Sequence, residues 1–200
     1  MEENSVRLFK KVIDQYTETD ISQEWTIFKQ ELKPVHYKKG QTIFPSTEKC
    51  KDLLYITKGI VASEYFDENE RIITRFFRVK NLCSNITSFL TNQVVNDHVF
   101  AITEVSGVLI SQKMFNHSYL YSNGIGLYFR KRLMENLLEA KMFISIKTMS
   151  SIESKLNFLY EDYPEIIRDT PWKYIASFIG VTPEWLSKTL KKRTHRFIVE

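Results

Sequence analysis

The sequence predicts an α+β protein in three parts: an N-terminal antiparallel β-roll (a double-stranded β-helix) behind leading helices, one long dimerisation helix, and a C-terminal helix-turn-helix. Three observations predict it. Short apolar runs broken by turn residues fill 35–111, too short for helices and near-regular in spacing. After Gly126 the apolar residues step instead by three and four, the period of a helix. Two short segments with marked ends then occupy 170–192. The expected boundaries are 1–122, 123–147 and 148–200.

The leading segment 1–33 places Val6, Phe9, Val12, Ile13 and Tyr16, then Ile21, Trp25, Phe28 and Leu32, at helical steps, so it predicts short packing helices. From Pro34 the apolar runs are 35–37, 42–44, 53–56, 60–66, 72–77, 94–104 and 108–111, with Gly40, Gly59, Asp67 to Glu70 and Gly107 between them. Phe129, Leu133, Leu137, Ala140 and Ile144 form one stripe of the long helix, which Leu127, Met134, Leu138 and Met142 broaden. A stripe that wide buries two faces. Either one covers the roll and the other a second copy of the chain, or both pack within one chain; the stripe is assigned to a homodimer. A further helix is expected over 150–163, ending before Pro164.

In 170–180, Thr170 reads as an N-cap, Pro171 as the first helical residue and Gly180 as a left-handed C-cap. The next helix opens the same way on Thr182 and Pro183, with Glu184 in the first turn, where a negative charge meets the positive end of the helix dipole. Two helices across a short turn, with Ala176 at their crossing and Ile175, Ile179, Val181, Leu186 and Leu190 between them, make a helix-turn-helix. In such a unit the second helix enters the major groove. Glu184 is then placed to accept from a cytosine amino group and Lys188 to donate to guanine or phosphate. Thr182, Ser187, Lys191, Lys192 and Arg193 are placed to hold the DNA backbone, and Trp185 is expected to be buried against the preceding helix.

Charge agrees with this. The net charge is +4, and residues 171–200 hold six cations, Lys173, Lys188, Lys191, Lys192, Arg193 and Arg196, against Glu184 and Glu200. The whole excess therefore sits at the end that would meet DNA. No apolar stretch approaches a membrane span, and Met1 to Lys11 lacks the apolar core of a targeting segment, so a cytoplasmic protein is expected. Cys50 and Cys83 read as two free thiols, too few for a disulfide framework or a cluster. His36, His98, His117 and His195 lack metal-ligand spacing, so neither metal nor cofactor is expected.

Over 21–196 the chain resembles the Crp/Fnr family of bacterial regulators. Tyr37-Lys38-Lys39-Gly40-Gln41-Thr42-Ile43-Phe44 and Leu54-Tyr55-Ile56-Thr57-Lys58-Gly59 look like its early strand motifs. Thr182-Pro183-Glu184-Trp185-Leu186-Ser187-Lys188 is similar to its recognition-helix run, commonly Ser-Arg-Glu-x-Val-Ser-Arg. The resemblance implies a cyclic-nucleotide-binding-like roll, a dimerisation helix, a winged helix-turn-helix, double-stranded DNA and a second copy as partners, and RNA polymerase as a further one. It puts Glu184 on the family's base-reading Glu and Lys188 on its second Arg, while Pro183 replaces the first Arg. Lys in place of Arg loses bidentate geometry. Only 194–200 follow the recognition helix, too few residues for a full wing hairpin.

The cyclic-nucleotide binders of that family hold the ligand with a Gly-Glu pair and an Arg some ten residues later. Here Ser84-Asn85 stand near the Gly-Glu position, no Arg occurs between Val79 and Phe129, and His98 falls near the missing Arg. A buried phosphate needs such a partner. The expected effector is an unidentified small molecule, not cAMP or cGMP, and His98 is expected to be a hydrogen-bonded structural residue. Two other classes compete with a DNA-binding regulator. One is an interaction or sensor protein that keeps the fold without specific DNA binding. The other is a metal-dependent cupin-like enzyme, against which stands the lack of any His-x-His cluster, phosphate loop or nucleophile elbow.

Overall fold

A computed structural model describes residues 2–67 and 70–196, with side chains over 4–67 and 70–190. Two antiparallel four-stranded sheets form the roll. One has the order β1 (Lys33–Tyr37), β8 (Val105–Ser111), β3 (Asp52–Lys58), β6 (Leu82–Cys83); the other runs β2 (Thr42–Phe44), β7 (Asp97–Ala101), β4 (Val61–Asp67), β5 (Glu70–Phe77). Before the roll come α1 (Glu2–Tyr16) and α2 (Ser22–Gln30). Within and after it lie α3 (Ile86–Thr91), α4 (Gln112–Tyr121) and α5 (Gly124–Thr148). The chain continues through α6 (Ile152–Asp162), α7 (Pro164–Asp169), α8 (Trp172–Ile179) and α9 (Pro183–Arg196). Among the described residues no helix is long and apolar enough to cross a membrane.

Strand β3 shows why its sequence carries no alternation. Leu53 to Ile56 are all buried, because one face looks into the roll and the other lies under α1, where Phe9 stacks on Tyr55 at 4.2 Å. Strands β4 and β7 are also covered twice. Val61, Val99 and Ala101 point into the roll and join the core formed with α1, α2 and α5, whereas Ala62 and Phe100 point outward into a second core. That second core contains Phe143 and Ile146 of α5, Leu156 and Leu159 of α6, Ile175 and Phe178 of α8, and Leu186 of α9. The helix-turn-helix is thus seated on the outer face of a roll sheet. Ser177 Oγ seals the contact, accepting from the Ile73 N–H at 3.0 Å and donating to the Arg71 carbonyl at 2.9 Å.

One charged group is fully buried under this seam. Glu64 accepts from His98 Nδ1 at 2.8 Å and from Arg71, while His98 Nε2 meets Thr42 Oγ1 at 3.0 Å and its ring lies against Phe100. His98 is therefore a hydrogen-bonded structural residue, as its sequence context suggested. Burial alone would push the Glu64 carboxyl up, but the hydrogen bonds from His98 and Arg71 outweigh it and hold it below the usual Glu range. A carboxyl with a depressed folded-state pKa contributes stability above its unfolded pKa and loses it as pH falls through the folded value. Thermal melts should therefore drop on acidification below the ordinary Glu range. Glu64→Gln should cost about 1 kcal/mol at neutral pH and flatten that acid limb; an unchanged limb would refute the assignment.

The structure departs from the sequence reading in three respects. The run 94–104 is a strand only over Asp97–Ala101, since Asn92 closes α3 with a left-handed backbone, φ +57°. The helices α3, α4 and α7 and the short β6 were not anticipated, although Asn85 and Ser111 cap α3 and α4 by accepting from Ser88 and Met114 N–H groups. Thr170 does not cap α8. It ends α7 with its N–H donating to the Ile166 carbonyl at 3.0 Å, its buried hydroxyl has no partner, and Pro171 occupies the cap position.

Candidate nucleic-acid interface and roll cavity

The turn between α8 and α9 is built as its residues dictate. Gly180 takes φ +81°, open to glycine without strain, and its N–H and that of Val181 both donate to the Ala176 carbonyl at 3.0 Å. Thr182 Oγ1 then accepts from the Trp185 N–H at 3.2 Å and starts α9 at Pro183. Ile175, Ala176, Ile179 and Leu186 are buried between the helices, with Val181 and Leu190 partly so. Burying Leu186 turns the opposite side of α9 outward, and Thr182, Pro183, Glu184, Ser187 and Lys188 are all exposed on it. Trp185 is exposed too, where the sequence reading had it buried; one position before Leu186, it falls off the packed face. The side chains of Lys191, Lys192 and Arg193, and residues 197–200 where a wing would begin, lie outside the described residues.

The long helix presents two faces of opposite character. Phe129, expected on the dimer stripe, is fully buried in its own chain against Phe28, Phe115 and Tyr128. Leu133 and Ala140 are half-buried. Leu137 and Ile144 are exposed, and Met134, Leu138 and Met142 share their side of the helix. The free apolar face is therefore Met134, Leu137, Leu138, Met142 and Ile144, rotated from the face that Phe129 marks.

Between the roll, α3, α4 and the middle of α5 lies a cavity of about 700 Å³. Its apolar wall includes Leu53, Phe77, Leu82, Phe89 and Phe115, and Ser84 and Asn85 stand at its edge. Asn85 is fully used: its Oδ1 caps α3 and its Nδ2 donates to the Asp97 carbonyl at 2.9 Å. Arg75, which the sequence reading passed over, is the one cation on the wall among the described residues. Its Nη2 donates to Glu139 at 3.2 Å and to the Asn136 carbonyl at 3.3 Å, while its buried Nε has no partner among the described residues. Cys83 is buried beside this region, and burial pushes its thiol far up, so it stays protonated. No group of three or more His, Cys, Asp or Glu able to hold a metal occurs among the described residues.

No protein-family model matches the chain, and no curated protein matches its sequence. Solved structures do match its shape. FixK2 from Bradyrhizobium japonicum superposes with TM-score 0.64 at 14% identity, over 84% of this chain and 86% of that one. A CooA variant from Carboxydothermus hydrogenoformans gives 0.62 at 13%, over 90% and 87%. The chain has the Crp/Fnr fold. A cyclic nucleotide-binding domain containing protein from Listeria monocytogenes shares it as well, with TM-score 0.68 and 11% identity over 94% and 91% of the two chains. The resemblance read from the strand and recognition-helix motifs thus holds for the fold across nearly the whole chain. In this Crp/Fnr fold the α9 surface and the roll cavity are separate places, joined through α5, whose residues 133, 136, 137 and 140 line the cavity and whose last turns pack under α8.

Proposed function

We propose that this chain is a sequence-specific DNA-binding transcription regulator, a homodimer on a two-fold-related operator. The observation that carries the reading is the outward face of α9: a capped helix behind a left-handed glycine turn, held by Leu186 and exposing Glu184, Ser187 and Lys188. Such a face suits the major groove, with Glu184 accepting from cytosine, Lys188 donating to guanine, and Thr182, Pro183 and the basic residues Lys191, Lys192 and Arg193 along the backbone. Met134, Leu137, Leu138, Met142 and Ile144 supply the surface for the second copy, with Leu133 and Ala140 at its margin. Contact with RNA polymerase belongs to the same reading. Binding-site selection on random duplexes tests it; enrichment of a palindrome supports it, and recovery of no sequence preference overturns it.

The effector is not a cyclic nucleotide. The one cation on the cavity wall among the described residues is ion-paired with Glu139, so a phosphate would have to compete with that carboxylate for it. Calorimetric titration with cAMP at near-millimolar concentration should give no saturable heat. Micromolar binding would refute the exclusion.

A further inference from the structure

The roll cavity holds a second polar feature, and it is of the opposite sign. In β7 the residues alternate, so that Val99 and Ala101 face the roll interior while His98 and Phe100 face outward. Asp97 shares the inward face and lines the cavity, opposite Tyr65 on β4. Its carboxylate makes no ion pair or hydrogen bond among the described residues; the bond from Asn85 goes to its backbone carbonyl. Burial, with no cation near enough to offset it, raises the Asp97 carboxyl above the usual Asp range. The cavity therefore pairs apolar and aromatic walls with a lone uncompensated carboxylate, while the charge of its guanidinium is balanced by Glu139.

That combination selects by charge. An anion would lie beside Asp97 and have to compete with Glu139 for Arg75, and a neutral apolar molecule would fill the volume but leave the carboxylate unpaired. A protonated amine on an apolar body satisfies both, giving Asp97 a charge-assisted hydrogen bond and filling space walled by Phe77, Phe89 and Phe115. The geometry points to an effector site for an apolar, preferably aromatic, monoamine, with its ammonium on Asp97. This rests on the regulator reading in one respect, that the occupant acts as an effector. The wall shares Leu133, Leu137 and Ala140 with α5, so an occupant pushes directly on the helix that carries the free apolar face.

Three ligands with one indole body and different head groups separate the possibilities: tryptamine, the alcohol tryptophol, and indole-acetate. Calorimetry on the full-length chain should show tryptamine saturating at one per chain, about tenfold tighter than tryptophol, with indole-acetate weakest. Asp97→Asn should bring tryptamine to the tryptophol level and leave tryptophol unchanged, and Ala140→Phe should block both by filling the cavity. The proposal is overturned if none of the three binds, if tryptophol or indole-acetate equals tryptamine, or if the preference survives Asp97→Asn. Should Asp97→Asn fail to fold, the ranking in the native chain decides. Operator binding by the unliganded chain is measured apart: its loss sinks the regulator reading and leaves the ligand ranking standing, and a failed ranking leaves operator binding untouched.

Discussion

Lys188→Glu should abolish specific operator binding while leaving the melting temperature and the molecular mass in solution unchanged. Lys188 is exposed on α9, one helical turn after Glu184, and no ion pair ties it to the rest of the molecule among the described residues. Replacing it removes no packing, so the stability change should stay within about 0.5 kcal/mol. On DNA the change is large. A base contact carries ~1–3 kcal/mol of discrimination, a two-fold operator counts it twice, and the new carboxylate repels phosphate, so specific affinity should fall by about a hundredfold or more. Gel-shift titrations against the selected operator and a scrambled duplex, with a melt in parallel, give the readout. Undiminished affinity would remove α9 as the reading helix.

The comparison with Glu184→Ala sharpens the assignment. Glu184 is also exposed, so its loss should relax sequence preference more than it weakens binding, since a carboxylate near phosphate adds specificity and not attraction. Salt dependence divides the two roles. A phosphate-contacting lysine lowers the slope of log affinity against log salt when it is removed, and a base-reading glutamate does not.

What the sequence shows of this fold follows from how local each signal is. The α8–α9 turn was legible because Gly180, Thr182 and Pro183 each act on their own neighbourhood through φ, a cap and a missing N–H. The roll was legible as short runs, and β3 as an unbroken one, because both its faces are covered. Thr170 misled because Thr-Pro opens a helix as readily as it closes one, and here the preceding Pro164 both stops α6 and starts α7. The exposed apolar face of α5 lies part of a turn from the stripe that Phe129 marks, since Phe129 and Leu137 both fit a broad stripe and only the packing of α1, α2 and α4 decides which is inside. Cavity chemistry was the least legible. Asp97 and Arg75 are far apart in sequence and are ordinary until β-sheet register turns both side chains into the same hollow.

The free face of α5 makes the second large prediction. Met134 and Leu138 stand one turn apart on it, each about 62% exposed, in a helix whose other face is held by Phe129, Phe143 and Ile146. The double variant Met134→Lys, Leu138→Lys should therefore fold with native stability as a monomer, because neither side chain contributes to the core. Full burial of a Leu or Met side chain stabilises by ~1.5–3 kcal/mol, so with 62% of each still exposed and two of each in a two-fold interface these two positions account for about 4–7 kcal/mol of association. Four buried lysines opposing one another would add repulsion to that loss. Sedimentation should move from dimer to monomer across the micromolar range, and operator affinity should fall with it, since one α9 alone reads half a site. A variant that still sediments as a dimer would place the interface elsewhere. A wild-type chain already monomeric at those concentrations would leave an apolar face of five large side chains open to water, which soluble monomers rarely tolerate unless another partner covers it.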